Sequence, residues 1–177
     1  KLPDFINKMM ENKWLGSKTG QGFYKKVDKD ILSLDLDTLE YRAAKKASFA
    51  TLELTKTIDK PIDRFKVLVK GTDKAGEFYR ATFYDLFRYC SFRIPEIADE
   101  LFRIDQAVSA GFGWELGPFE NWDLLGVKET VEKMEAVGEK PADWVVEMLE
   151  AGNDSFYKVE NGKKHFYDIP SKSYKEV

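Results

Sequence analysis

The chain has 177 residues, 28 basic against 31 acidic side chains and a formal net charge of −3, which leaves no electrostatic footprint for DNA, RNA or an anionic membrane surface. Hydrophobic residues make up 43% and charged residues 33%, the composition of a soluble globular protein and not of a disordered or fibrous one. Aromatics reach 14%, an excess that predicts a bulky core or a large buried interface.

In chain order, residues 4–14 read as a short amphipathic helix with Phe5, Ile6, Met9, Met10 and Trp14 near one face. Leu15-Gly16 ends it, and a glycine-punctuated loop follows, Ser17-Lys18-Thr19-Gly20-Gln21-Gly22-Phe23-Tyr24. Residues 25–40 are charged, alternate only weakly and read as an extended connector. A longer helical region is expected from Tyr41 towards Ile58, broken at Asp59-Lys60-Pro61, with a short helix through Phe65, Leu68 and Val69 ending at Gly71. Tyr79, Phe83, Leu86, Phe87, Cys90 and Ile94 then form a continuous helical stripe. Pro95 breaks that helix and opens the next, Glu96 to about Ala110, whose buried face is read as Ile97, Leu101, Ile104 and Val108. Gly117-Pro118 starts a helix carrying Phe119, Trp122 and Leu125, and further helices are expected at about 127–137 and 142–151. Asn161-Gly162 between two alternating arms is a strong hairpin signal, because both residues tolerate positive φ. The fold class is therefore mainly α with a short C-terminal β-hairpin.

Scarce residues limit the chemistry. Cys90 is the single cysteine and His165 the single histidine, which excludes an intrachain disulfide and a CxxC redox or zinc site. His165 reads as an exposed strand histidine, since a general base needs an orienting partner and a pocket. The acidic residues Glu96, Asp99, Glu100, Asp105, Glu115, Glu120 and Asp123 follow helical spacing and read as solvated faces, caps and first-turn positions, so no metal site is expected. No apolar run approaches the ~18 residues that cross a bilayer. The glycine loop lacks the context of a phosphate loop or a dinucleotide fingerprint, although Lys18 would project from it as a cation on a rigid turn. The chain opens on Lys1 with Pro3-Asp4 starting a helix, and is read as an intracellular piece of a longer protein.

Two stretches carry a family resemblance. Trp14-Leu15-Gly16-Ser17-Lys18-Thr19-Gly20-Gln21-Gly22-Phe23-Tyr24 resembles the end of the C-terminal domain of 3-hydroxyacyl-CoA dehydrogenases. Arg88-Tyr89-Cys90, Pro95-Glu96-Ile97-Ala98-Asp99, Ile104-Asp105-Gln106-Ala107 and Gly111 through Phe119, with Asp123 and Gly126, are similar to the body of the same domain. That domain occurs twice in fused 3-hydroxyacyl-CoA dehydrogenase/enoyl-CoA hydratase polypeptides, and Pro141-Ala142-Asp143-Trp144-Val145 with Ser155-Phe156-Tyr157 is similar to the stretch after the second copy.

The resemblance implies a helical bundle like the 6-phosphogluconate dehydrogenase C-terminal-domain-like fold. It divides the chain into the tail of a first copy (1–26), a connector (27–40), a second copy (41–152) and a hairpin extension (153–177). It also implies a cytoplasmic, NAD-dependent parent enzyme acting on 3-hydroxyacyl-CoA. The second copy would serve as a scaffold that pairs with the first copy or as a homodimer contact. The family's catalytic His-Glu pair and its NAD domain match nothing here, so no catalytic residue is assigned and the chain alone is expected to be inactive. Lys18 is the one position that receives a role, as the lysine approaching NAD. A stand-alone helical protein-interaction module without an enzymatic parent is the alternative.

Overall fold

A computed structural model describes residues 2–177, which contain eight α-helices and six β-strands in two compact units, one up to Ser48 and one from Phe49 to Val177. In the first unit, helix α1 (Asp4–Glu11) buries Met9 and is followed by a single 3-10 turn at Ser17–Thr19. Strands β1 (Tyr24–Val27), β2 (Asp30–Leu34) and β3 (Tyr41–Ala43) then form an antiparallel sheet in the order β1-β2-β3. Tyr24 pairs with Ser33 and Leu34 pairs with Tyr41 across that sheet.

The expected extended connector at 25–40 is thus a β-meander, and the helix expected from Tyr41 is a strand. Alternation there is weak because the sheet is short and mostly exposed; of its strand residues only Leu34 is buried. The sheet turns at Asp28, whose φ is 53°. A second turn is built by Asp35, which accepts the backbone N–H groups of Asp37 and Thr38, both at 3.2 Å, and the Arg42 Nε at 2.8 Å. Those contacts hold the Asp35 carboxyl at about 2, led by the Arg42 hydrogen bond.

The second unit is helical with a sheet at its end. Helices α2 (Ala50–Thr55), α3 (Pro61–Lys70) and α4 (Lys74–Phe92) follow one another closely. Asp73 joins two of them. It caps α4 by accepting the Gly76 N–H at 3.1 Å, and accepts the Thr51 N–H of α2 at 2.9 Å, both otherwise orphan donors of a first turn. Helices α5 (Leu101–Phe112), α6 (Pro118–Leu125), α7 (Val127–Ala136) and α8 (Asp143–Glu150) complete the bundle.

The periodic stripe on α4 does form the core: Phe87, Cys90 and Ile94 are buried, with Phe83 and Leu86 packed against them. Phe87 stacks on Trp122 with ring centroids 5.0 Å apart, and Phe156 meets Phe119 and Trp122 at 5.0 and 5.1 Å. Burying each such ring is worth about 1.5–3 kcal/mol. The aromatic excess of the composition goes largely here. Ser91 ties α4 to α8: its Oγ accepts the Ala142 N–H at 2.9 Å and its carbonyl accepts the Trp144 indole N–H at 2.9 Å.

Two details differ from the sequence reading. Helix α5 begins at Leu101, not Glu96, and Ile97 is 67% exposed instead of buried. Residues 93–100 are turns and irregular chain between α4 and α5, and the Ile94–Pro95 peptide is cis. The tail is more than a hairpin. Strands β4 (Tyr157–Glu160) and β5 (Lys163–Asp168) are the expected arms around Asn161-Gly162, both at positive φ, and β6 (Ser173–Glu176) adds a third antiparallel strand.

Candidate functional site

The loop carrying Lys18 is built from its own backbone. Gly16 at φ 102° and Gly20 at φ 80° flank the 3-10 turn, in a region that glycine enters without steric penalty. The Gly16 N–H donates to the Gln21 carbonyl at 2.9 Å, and the Leu15 N–H donates to the Thr19 Oγ1 at 2.9 Å. A Cβ at Gly22 would fall 2.7 Å from the Gly16 nitrogen, so only a bare backbone closes this crossing. The Tyr41 hydroxyl donates to the Gly22 carbonyl at 2.7 Å and braces the loop from β3.

The Thr19 hydroxyl is likewise spent on the loop itself, on Leu15, Gly16 and Gln21. Lys18 is exposed and forms no ion pair among the described residues. That arrangement fits a cation offered to a pyrophosphate or carboxamide brought from elsewhere. One lysine is not a dinucleotide site, and no step of hydride chemistry can be assigned to this chain's own residues.

A second cluster was missed by the sequence reading. Asp105 on α5, read as part of a solvated face, is 4% exposed. Its carboxylate accepts the Phe119 N–H at 2.9 Å, the Glu120 N–H at 3.1 Å and the Tyr157 hydroxyl at 2.7 Å. It thus caps the first turn of α6 from a neighbouring helix. Asp123 on α6 does the same for β4, accepting the Phe156 and Tyr157 N–H groups at 2.7 and 2.8 Å.

Burial raises both carboxyls, Asp105 to about 6 and Asp123 to about 7, against the opposing pull of their hydrogen bonds. The same burial pushes the Tyr157 phenol upward. The donors that meet these carboxylates come from α6, from Phe156 and from Tyr157 on β4, so the cluster ties α5, α6 and β4 together. One signal for it was present in the sequence. The residue before Pro118 is Gly117, which has no side chain to cap α6 and so leaves that place open to a carboxylate from elsewhere in the chain. Glu120, in the first turn of α6, accepts the Gly117 N–H at 2.8 Å.

His165 lies on β5, half-buried, with its Nδ1 3.1 Å from the Lys163 carbonyl; no carboxylate orients it. Cys90 is buried and its thiol is pushed up to about 12 by that burial, so it is not a nucleophile. Among the described residues no group of acidic, histidine and cysteine side chains is placed to hold a metal. An open apolar groove of about 590 Å³ runs between α4 and α5, lined by Leu86, Tyr89, Ile104, Val108, Phe112 and Trp114. Phe112 at its edge is 79% exposed.

Comparison with known proteins places the chain among relatives of bacterial fatty-acid oxidation enzymes. It resembles over nearly its whole length a probable 3-hydroxyacyl-CoA dehydrogenase of Bacillus subtilis (strain 168), 43% identical over 168 residues that cover 95% of this chain and 21% of the relative. It is also 24% identical over 121 residues to a putative fatty acid oxidation complex trifunctional enzyme of Rickettsia felis, and 22% identical over 134 residues to one of Rickettsia prowazekii. Those matches cover 65% and 68% of this chain, and 15% and 17% of the two Rickettsia proteins. The chain therefore spans about one-fifth of the length of the Bacillus protein. No protein-family profile matches the chain. No solved structure matches it either. Among the described residues no helix is long and apolar enough to cross a membrane.

Proposed function

We propose that this chain is a helical part of a cytoplasmic, NAD-dependent (3S)-3-hydroxyacyl-CoA dehydrogenase of fatty-acid β-oxidation. The observation that carries this reading is the 43% identity along 95% of the chain. The loop geometry supports a role for Lys18. A lysine on a self-satisfied turn has no structural partner to serve, and its ammonium is free to meet the NAD held by a separate nucleotide domain. Residues 1–26 then belong to a first copy of the family's C-terminal domain and 41–152 to a second, folded like the 6-phosphogluconate dehydrogenase C-terminal-domain-like bundles. The second copy is a scaffold that pairs with the first copy, or with another chain when produced alone. The helical core around Phe87, Trp122 and Phe156 supports the scaffold role.

The test is steady-state kinetics of the full polypeptide with Lys18→Ala. The Michaelis constant for NAD is expected to rise about threefold to tenfold, the size of one partly exposed charge-assisted contact, while the fold stays intact. An unchanged constant for NAD together with a melting temperature lowered by several degrees would make Lys18 a structural lysine.

The exposed groove between α4 and α5 favours a second reading, a helical protein-interaction module without an enzymatic parent. A gene that encodes no glycine-rich nucleotide domain on the same polypeptide would support it.

A further inference from the structure

The geometry points to a binding site for an amphiphilic carboxylate, one anionic head on an apolar body, in the open groove between α4 and α5. The groove holds about 590 Å³, within the range of roughly 300–1,000 Å³ typical of small-molecule sites. Leu86, Ile104, Ala107 and Val108 give it an apolar lining. Ile97 and Phe112, also in the lining, are 67% and 79% exposed, and large apolar side chains left together in water mark a surface that binds. The charged groups of the lining are Arg93 and Arg103, with no carboxylate among the described residues. A chain of net charge −3 thus presents an apolar trough with two guanidinium groups, the complement of an anionic amphiphile.

Arg93 is the head-group anchor. Its Nη1 pairs with Glu96 at 2.7 Å, but its Nε is buried and has no hydrogen-bond partner among the described residues. Nε and Nη2 form the guanidinium edge that meets a carboxylate with two parallel bonds. Glu96 takes the nitrogen outside that edge and leaves the fork open. A buried donor without a partner is costly, and a carboxylate on the fork would satisfy it. The Glu96 pair is an exposed contact three residues apart, of the kind that contributes little. The guanidinium carbon of Arg93 lies 5.1 Å from the centre of the Tyr89 ring, another lining side chain, and that contact steadies it. Arg103 is held by Glu100 at 3.1 Å and adds charge to the trough. A second copy of the chain is a poorer occupant, because a two-fold contact through this groove would bring the same arginines face to face. The inference needs neither the dehydrogenase reading nor the interaction-module one.

The test titrates the 177-residue chain with decanoate, butyrate and decyltrimethylammonium below their micellar concentrations, followed by calorimetry and tryptophan fluorescence. Decanoate is expected to bind at least tenfold more tightly than either of the others, because it alone has both the head and the apolar body. Arg93→Ala should weaken it about tenfold, and Arg93→Lys nearly as much, since lysine keeps the charge but not the fork. Phe112→Ser should weaken it about threefold. Circular dichroism is expected to stay unchanged in all three variants. Lys140→Ala, a surface lysine outside the groove, serves as control and should change nothing. Failure of decanoate to bind at millimolar concentration, or equal weakening by Lys140→Ala, would overturn the site. Decyltrimethylammonium binding as tightly as decanoate would overturn the carboxylate head. A dimer in sedimentation that Phe112→Ser dissociates and decanoate leaves intact would give the groove to a second copy and overturn the proposal.

Discussion

Tyr157 donates its hydroxyl to Asp105 Oδ2 across 2.7 Å, joining β4 to α5 over a separation of 52 residues. The bond sits where two backbone N–H groups already converge on the same carboxylate. Its loss leaves a buried carboxylate with one donor fewer. Tyr157→Phe is therefore expected to destabilise the chain by about 1–2 kcal/mol. Urea denaturation should show a lower midpoint with an unchanged slope.

The two buried carboxylates also set a pH dependence. Burial raises Asp105 to about 6 and Asp123 to about 7, both above an ordinary value of 3.8. Between pH 4 and 7 the folded state thus binds protons that the unfolded chain has released. Stability must fall as pH rises through that window. The chain is expected to be more stable at pH 5 than at pH 8 in denaturant titrations. Asp123→Asn should flatten the slope, at a cost of about 1–3 kcal/mol for the N–H it no longer satisfies.

Gly117 is required by contact and not by its backbone angles. Its φ is −75°, open to any residue, but a Cβ there would lie 2.4 Å from the Cα, Cβ and Cγ of Asp105. Gly117→Ala should push α5 and α6 apart and cost about 1–3 kcal/mol. A Tm lowered by several degrees is the expected outcome, whereas Gly111→Ala, with nothing near its Cβ, should change little.

The chain alone should form no NADH from 3-hydroxybutyryl-CoA above the uncatalysed rate. His165 has no orienting carboxylate, and loss of a general acid-base group costs about 10²–10⁴-fold by itself. Activity in a spectrophotometric assay would show that a base exists among residues not recognised as such.

What the sequence made legible was whatever repeats locally. The α4 stripe, the Asn161-Gly162 turn and the Gly71 stop depend on neighbours within a few residues, and all are found. The sheet at 24–43 escaped because its strands bury almost nothing and so write no alternation into the chain. Asp105 escaped for the opposite reason. Its spacing is that of a solvated helix face, and only Gly117 and Tyr157, both far along the chain, make it a buried cap. Lys18 stands between these cases. Its rigid presentation was legible from Gly16, Gly20 and Gly22, while the ligand it would meet is carried by the family resemblance.

The donors from Phe156 and Tyr157 give the C-terminal segment an unusual standing. A chain cut before residue 155 would strand Asp123 without its two N–H partners and Asp105 without its phenol, and would strip Phe156 from the aromatic core. The last strands and the central helices are then one cooperative unit. Their amides should exchange with deuterium at a common slow rate, set by global opening, instead of the faster rate of a fraying end.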